Sequence, residues 1–420
     1  MSNTNRFRLF YLFGYGAMGV MNPLISQYLN SIGFSGTEIG TVTSAATFAA
    51  VFASVFWGER YSNSSDGRKV IAFICISAAV MGFVNSAVTG FLLFVLTYSV
   101  QYFFQGPVMG VSDALVLEQD QENFSSIRLC GAAGYAAAVF AGGRIGDAVG
   151  LESIFYIYAC VFVLAGCTVI TSARPRRSSA DQSEEESLEY IKKETSSNRG
   201  AEKAENGKVR YSELLKDRKA IQLIICGIFV MGTNVANNTY FGFLFREGGG
   251  TVAGVGTAFL LMVGSEAPFM ALAPYLCRNF SREKTILAAM ALSATRFLFY
   301  AAGPSSEFLL ITFFLQGMVN GILLTEYVKY LSEVVEPRLI GMAVAAFYAV
   351  SSNGGTILCN FFGGIAMDWL NSRGVYALFS ALNVAGTLLY LYFGLHKTTK
   401  KGMSSVFDNV PKFRKYKHQF

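Results

Sequence analysis

"ALSATRFLFYAAG", residues 291–303, sets Arg296 in the middle of a run that otherwise reads as a membrane helix. Whether that run crosses a bilayer decides the fold, and the composition answers: 52% of the 420 residues are hydrophobic and only 15% are charged. Mean hydropathy is +0.40, well above that of a soluble chain of this size. Apolar stretches of about twenty residues, each enough to cover about 30 Å of hydrocarbon at 1.5 Å per residue, recur about twelve times. They cover residues 8–29, 38–60, 69–89, 91–117, 127–147 and 152–172, then 220–245, 252–277, 285–303, 306–331, 339–367 and 374–395. Backbone groups in lipid bond internally, and these runs do not alternate as barrel strands do, so the spans are helices. The fold class is an all-α membrane protein.

Charge sets the expected orientation. With the N-terminus cytoplasmic, the inside segments hold Arg6, Arg8, Arg60, Arg68, Lys69, Arg128, Arg278, Arg282, Lys284, Lys329 and Arg338, together with the basic residues of 173–219 and of the tail. The outside turns hold Arg144, Arg246 and Arg373. This asymmetry places both termini in the cytoplasm. The net charge of +6 then reflects topology and anionic lipid headgroups, and no nucleic-acid partner is expected. The first apolar run continues too far for a cleaved signal peptide. All seven cysteines lie in or beside spans without CxxC spacing, so neither disulfides nor a metal site are expected.

Residues 173–219 form a charge-mixed stretch that cannot bury a core, read as a cytoplasmic linker; "EEESLEYIKK" within it carries i,i+4 support for a short surface helix. The expected organisation is an N-terminal bundle of six helices (1–172), the linker, a C-terminal bundle of six (220–396) and a basic cytoplasmic tail (397–420). The halves carry matching patterns in the same order. "EIGT" (38–41) matches "GVGT" (254–257), "RLCG" (128–131) matches "RLIG" (338–341), and "GGRIGD" (142–147) matches "GGIAMD" (363–368). Such repeats predict two pseudo-symmetric bundles with a site between them.

The segment "NPLISQYLNSIGFSGTEIGTVTSAATFAAVFASVFWGERYS" (22–62) resembles the first hairpin of the major facilitator superfamily. More narrowly, "SDALVLEQDQENFSSIRLCGAAGYA" (112–136), "GSEAPF" (264–269) and "SATRFLFY" (293–300) resemble its proton-coupled branch of lactose, nucleoside and phenylpropionate permease-like proteins. The resemblance implies alternating access, cavity-lining first, fourth, seventh and tenth spans, and substrate contacts at Asp113 and Arg128, with Tyr135 where the lactose type has tryptophan. Two departures stand out. The loop signature between spans two and three survives only loosely as "GERYSNSSDGRK" (58–69), and Gln316 and Val319 replace the lactose type's histidine and glutamate.

A charge at a helix centre costs about 2.5–3.5 kcal/mol on insertion scales and so needs a carboxylate or water beside it. Counting from the turn between spans eight and nine puts Glu266 and Arg296 at matching depths of about 17 Å, which predicts an ion pair whose glutamate carries the coupled proton. The alternative is a static structural pair. Glu326 is a second proton-carrier candidate, or a structural partner of Lys329 at i,i+3. Tyr102, Gln105, Met109 and Asp113 share a stripe on span four; Asp113 and Arg128 are either substrate contacts or interfacial anchors. Asn234, Asn237 and Asn238 line one face of span seven, Tyr15, Asn22 and Ser26 recur on the first, and Gln316, Asn320 and Asn353 add amides on spans ten and eleven. Each is either a solute contact or interhelical glue.

An integral-membrane enzyme would need a nucleophile and base, or metal ligands, within the bilayer. The chain has no HExxH or GxSxG, and its two histidines, His396 and His418, lie in the tail region. The expectation is therefore a non-enzymatic, cofactor-free and monomeric secondary transporter of the bacterial inner membrane. It would carry a sugar, nucleoside or aromatic acid by proton symport, the alternatives being proton-coupled efflux or a non-transporting sensor on the same scaffold.

Overall fold

Helix boundaries follow local signals. The computed structural model describes residues 2–172 and 211–397; the possible helix in "EEESLEYIKK" and His418 lie outside them. Helix α1 (Asn3–Ser31) ends at a turn through Gly33, whose φ of 95° suits glycine. Ser35 and Glu38 form a capping box that opens α2 (Gly36–Ser62). Helix α3 (Gly67–Asn85) starts behind Asp66. The span expected at 91–117 is bent into α4 (Phe91–Gln105) and α5 (Val108–Gln119), because Pro107 has no N–H to continue the ladder. Helices α6 (Phe124–Val149) and α7 (Ser153–Ile170) complete the first set.

The second set begins with the short α8 (Tyr211–Leu214) and with α9 (Arg218–Glu247), capped by Asp217. Then come α10 (Val252–Phe280), with Pro268 and Pro274 inside it, α11 (Arg282–Ala301) and α12 (Ser306–Val334). Helix α13 (Ile340–Ala346) passes through a π-helical stretch, Phe347–Gly354, into α14 (Gly355–Tyr392), which breaks at Asn371 with φ 59°. Among the described residues, ten helical segments are long and apolar enough to cross a membrane. Helix α11 is not among them, since its charged first turn and Arg296 lower its hydropathy.

Each set packs around one central helix. Helix α1 lies against α6 and α7, while α9 lies against α14, and both central helices are buried along most of their length. Large apolar side chains such as Leu92 and Val55 face outward, 75% and 74% exposed, as a lipid-facing surface requires. The sets meet where α2 packs on α14 and α6 on α10. Hydrogen bonds joining them gather at the end remote from the chain termini: Asp368 to the N–H groups of Gly36 and Thr37, Asp147 to those of Val252 and Ala253, and Ser44 to the Ile357 carbonyl. Toward the termini, hydrogen bonds and salt bridges among the described residues stay within each set, and the exposed Arg128 of one set and the part-exposed Glu266 of the other face each other across the cleft between them.

In the loop before α3, Arg68 grips Asp66 in a two-pronged pair at 2.9 and 2.8 Å and also donates to the Ser172 carbonyl beyond α7. The Arg68 guanidinium holds the Asp66 carboxyl below its usual value of 3.8. A lowered folded-state value gives stability that is present above the unfolded value and lost as pH falls through the folded one. Asp66→Asn should therefore cost about 1–3 kcal/mol at pH 7, as for a buried hydrogen bond to a charged group. In thermal denaturation of purified protein, the gap between wild type and variant should close below about pH 4.

Candidate functional site

Among the described residues, three polar clusters hold most of the polar residues expected at the site. The first joins α1, α5 and α6. Tyr11 donates to Asp113 at 2.6 Å, Arg128 reaches the other Asp113 oxygen at 3.5 Å, and a second Arg128 nitrogen donates to the Tyr15 hydroxyl at 3.1 Å. Tyr11 and Tyr15 stack one turn apart with centroids 5.8 Å from each other. The Arg128 side chain is 50% exposed and that of Asp113 22%, so both remain accessible at the cleft wall. The Gly106–Pro107 bend splits the stripe read on span four: Asp113 joins this cluster, while Tyr102 and Gln105 join another.

That second cluster centres on Asn22 of α1. Its side-chain oxygen accepts from Tyr102 at 2.9 Å and from Gln105 at 3.0 Å, and Gln105 in turn accepts from Tyr158 at 2.7 Å. Behind it, Asn85 donates to Gln101. Asn22, Tyr102 and Tyr135 are part-exposed, whereas Gln105 is buried. The Tyr135 backbone also packs directly on Gly19, where a Cβ would lie 2.5 Å from its carbonyl oxygen. Residue 135 thus stands beside α1, next to the Asn22 node.

The third cluster fills the second set. Asn234 accepts from Arg296 at 3.0 Å and donates to Ser293 at 2.9 Å, while Gln316 donates to the Asn234 carbonyl and to Asn320. Tyr376 donates to Asn237 at 2.8 Å. Asn238 and Asn353 are part-exposed, and the Asn238 side-chain oxygen has no hydrogen-bond donor among the described residues. Arg296 is only 3% exposed and lies 4.4 and 5.4 Å from the ring centroids of Phe297 and Tyr300. Its Nε and Nη1 groups find no acceptor among the described residues.

The expected Glu266–Arg296 ion pair is corrected by this geometry. Among the described residues, salt bridges involve neither residue. Equal depth on neighbouring helices does not fix rotation about the helix axis. Arg296 turns inward to Asn234 of α9, whereas Glu266, at the Gly317–Gly321 seam with α12, is part-exposed and feels Arg128 of the first set. Glu326 is fully buried between Arg282 at 2.8 Å and Lys329 at 2.7 Å, with the Cys277 thiol at 3.3 Å. The Lys329 pairing read at i,i+3 is therefore present.

Tyr11, Tyr158 and Tyr376 complete these clusters and were not singled out in the sequence. Tyr11 was recoverable, since it lies one turn from Tyr15 on the face that carries Asn22. Tyr158 and Tyr376 sit on supporting helices, and only packing shows what their hydroxyls reach.

The model of the MFS_1 like family matches residues 5–378. The chain belongs to that family, within the major facilitator superfamily, and is an integral membrane transporter. It is 29% identical to the maltose permease of Geobacillus stearothermophilus over 94% of this chain and 95% of that protein. It shares the fold of the nucleoside transporter NupG, with a TM-score of 0.79 and 16% identity over 95% of this chain and 100% of that one. A D-xylose-proton symporter aligns with a TM-score of 0.66 and 15% identity over 94% of this chain and 99% of that one.

Arg296 shows how the third cluster can be tested. Removing the Asn234 acceptor takes a hydrogen bond from a buried guanidinium, which costs about 1–3 kcal/mol or more for a charged group. Asn234→Leu should lower the melting temperature in detergent by several degrees, and the double variant Asn234→Leu/Arg296→Met should recover much of the loss. An undiminished Tm in the single variant would show that Asn234 does not satisfy Arg296.

Proposed function

We propose that this superfamily transporter is a proton symporter for a neutral, hydroxyl-rich solute, with a sugar as its first candidate and a nucleoside as the second. The observation that carries this reading is the open Asp113–Arg128 pair, flanked by Tyr11 and Tyr15 and opposed across the cleft by Glu266. A carboxylate accepts from one hydroxyl while the guanidinium donates to its neighbour, the pattern that adjacent hydroxyls on a ring match, and tyrosine supplies apolar surface for the ring. The name of the maltose permease relative points the same way. The amides at the cleft, Asn22, Asn238, Asn320 and Asn353, together with Tyr102, Gln105 and Tyr135, complete the solute contacts in this proposal. Asn234, Asn237 and Gln316 hold the wall behind them.

Glu266 is the proton carrier in this scheme. It is a part-exposed acidic residue of the second set near Arg128, and among the described residues it has no salt-bridge partner, so a proton can reach and leave it as the cleft changes sides. Glu326 is held by two cations, and Arg296 supports the cleft wall as a fixed charge. The rest of the proposed arrangement follows from the charge distribution and the repeat. It comprises twelve crossings in two bundles, 1–172 and 220–396, joined by a cytoplasmic linker at 173–219, with the tail at 397–420 and both termini inside. The protein works as a monomer in a bacterial inner membrane.

The deciding experiment adds maltose, other sugars, nucleosides or aromatic acids to de-energised cells and records external pH. A sugar should alkalinise the medium; a response confined to nucleosides or aromatic acids would replace the substrate assignment, and uptake without proton movement would refute symport. Glu266→Gln should abolish accumulation against a gradient while preserving exchange of labelled solute. Arg128→Gln and Asp113→Asn should instead lower solute affinity by at least about tenfold, the effect of losing about 1.4 kcal/mol in binding.

A further inference from the structure

The two crossings that close the end remote from the termini are built alike. Helix α2 begins with four N–H groups that need acceptors, of which the Glu38 carboxylate takes that of Ser35. The Ser35 hydroxyl takes that of Glu38, and Asp368, from the other set, takes those of Gly36 and Thr37 at 2.5 and 2.8 Å. Helix α10 repeats the division: the Thr251 hydroxyl takes the N–H of Gly254, and Asp147, from the first set, takes those of Val252 and Ala253 at 3.2 and 2.7 Å. Each helix thus caps the N–H of its third residue itself and leaves those of its first two to a carboxylate from the opposite set.

Glycines let these carboxylates arrive. A Cβ at Gly143 would lie 2.8 Å from the Val252 carbonyl oxygen, and one at Gly256 would lie 2.6 Å from that of Val139. At the related crossing, Gly364 meets the Gly36 carbonyl and Gly40 meets that of Asn360. The matching "GGRIGD" and "GGIAMD" segments therefore encode the same device twice: a small-residue face that permits contact, followed by an aspartate that fastens it.

Each aspartate is badly placed for its own helix. Asp147 lies in the last turn of α6, and Asp368 lies just before the break of α14 at Asn371. The negative end of a helix dipole disfavours a carboxylate there, while the N-terminus of the opposing helix favours it. The charge is therefore stabilised chiefly while the crossing is closed. Separation would return four backbone N–H groups to water and leave both anions at the wrong helix ends.

We propose that Asp147 and Asp368 form a paired latch that holds the cleft shut on the face remote from the termini, and that both must release before solute can enter from that face. This rests on the alternating-access reading of the preceding subsection, but not on the solute or the coupling ion. The latch residues lie away from the Asp113–Arg128 pair and Glu266, so their substitution changes the balance of conformations without removing a solute contact.

The test uses full-length protein with its native cysteines replaced and Ser44→Cys as the reporter. Ser44 is 7% exposed and bonds across to Ile357 below the Asp368 latch. A membrane-impermeant maleimide is added outside right-side-out vesicles. Losing a helix cap shifts an equilibrium about fivefold, so Asp147→Asn and Asp368→Asn should each raise the labelling rate about fivefold. The two latches share no partner, so the double variant should show about twenty-five-fold. Alanine at both positions should raise it at least as far. An unchanged rate in the Asn pair or the Ala pair, with a wild-type elution profile, overturns the latch. Should the Ala pair fail to reach the membrane, the single Asn variants decide alone. Solute-induced alkalinisation that persists in the same vesicles would separate failure of the latch from failure of the transport assignment.

Discussion

Within hydrocarbon there is no water to complete a hydrogen bond, and the organisation of this protein follows from that constraint. The backbone meets it by becoming helical. Polar side chains meet it by converging on shared acceptors, Asn22 in one set of helices and Asn234 in the other, each approached by two donors from a neighbouring helix. Helix ends meet it by borrowing: the first N–H groups of α2 and α10 are satisfied by carboxylates from across the molecule. Rigidity inside each set and separability between the sets thus share one origin, differing in whether the partners belong to the same set.

Glu326 and Glu266 illustrate the distinction. Glu326 is fully buried and surrounded by Arg282, Lys329 and Cys277, an arrangement that satisfies its charge and fastens the adjoining ends of α10, α11 and α12. Glu266 sits at a glycine-lined seam facing the cleft, where the nearby charge is Arg128 of the opposite set. A group satisfied within one rigid set has little to gain from a conformational change. A group whose charged neighbour belongs to the other set depends on how far apart the two sets stand.

The two sets are not copies in their clusters. The first places an acid–base pair at the cleft wall, half open to solvent, with two tyrosines beside it. The second places its arginine deep inside, against amides and aromatic rings. Symmetry is retained at the crossings, where both contacts have the same geometry, and is lost in the polar clusters.

Much of the fold was legible in the chain. Hydrophobic length located most of the helices to within a few residues, since one bilayer thickness bounds them all, although the expected spans 339–367 and 374–395 run on as one helical stretch broken at Asn371. The sequence also singled out Asn22, Asp113, Arg128 and Asn234, because polar groups in an apolar run are conspicuous. Rotation about the helix axis was not legible. Residues at one depth can face partners or face apart, so Arg296 and Glu266 were matched in height but not in direction. Likewise, only tertiary structure showed that Asp147 and Asp368 cap helices of the opposite set, because a cap supplied from remote sequence leaves no local pattern beside the helix it completes.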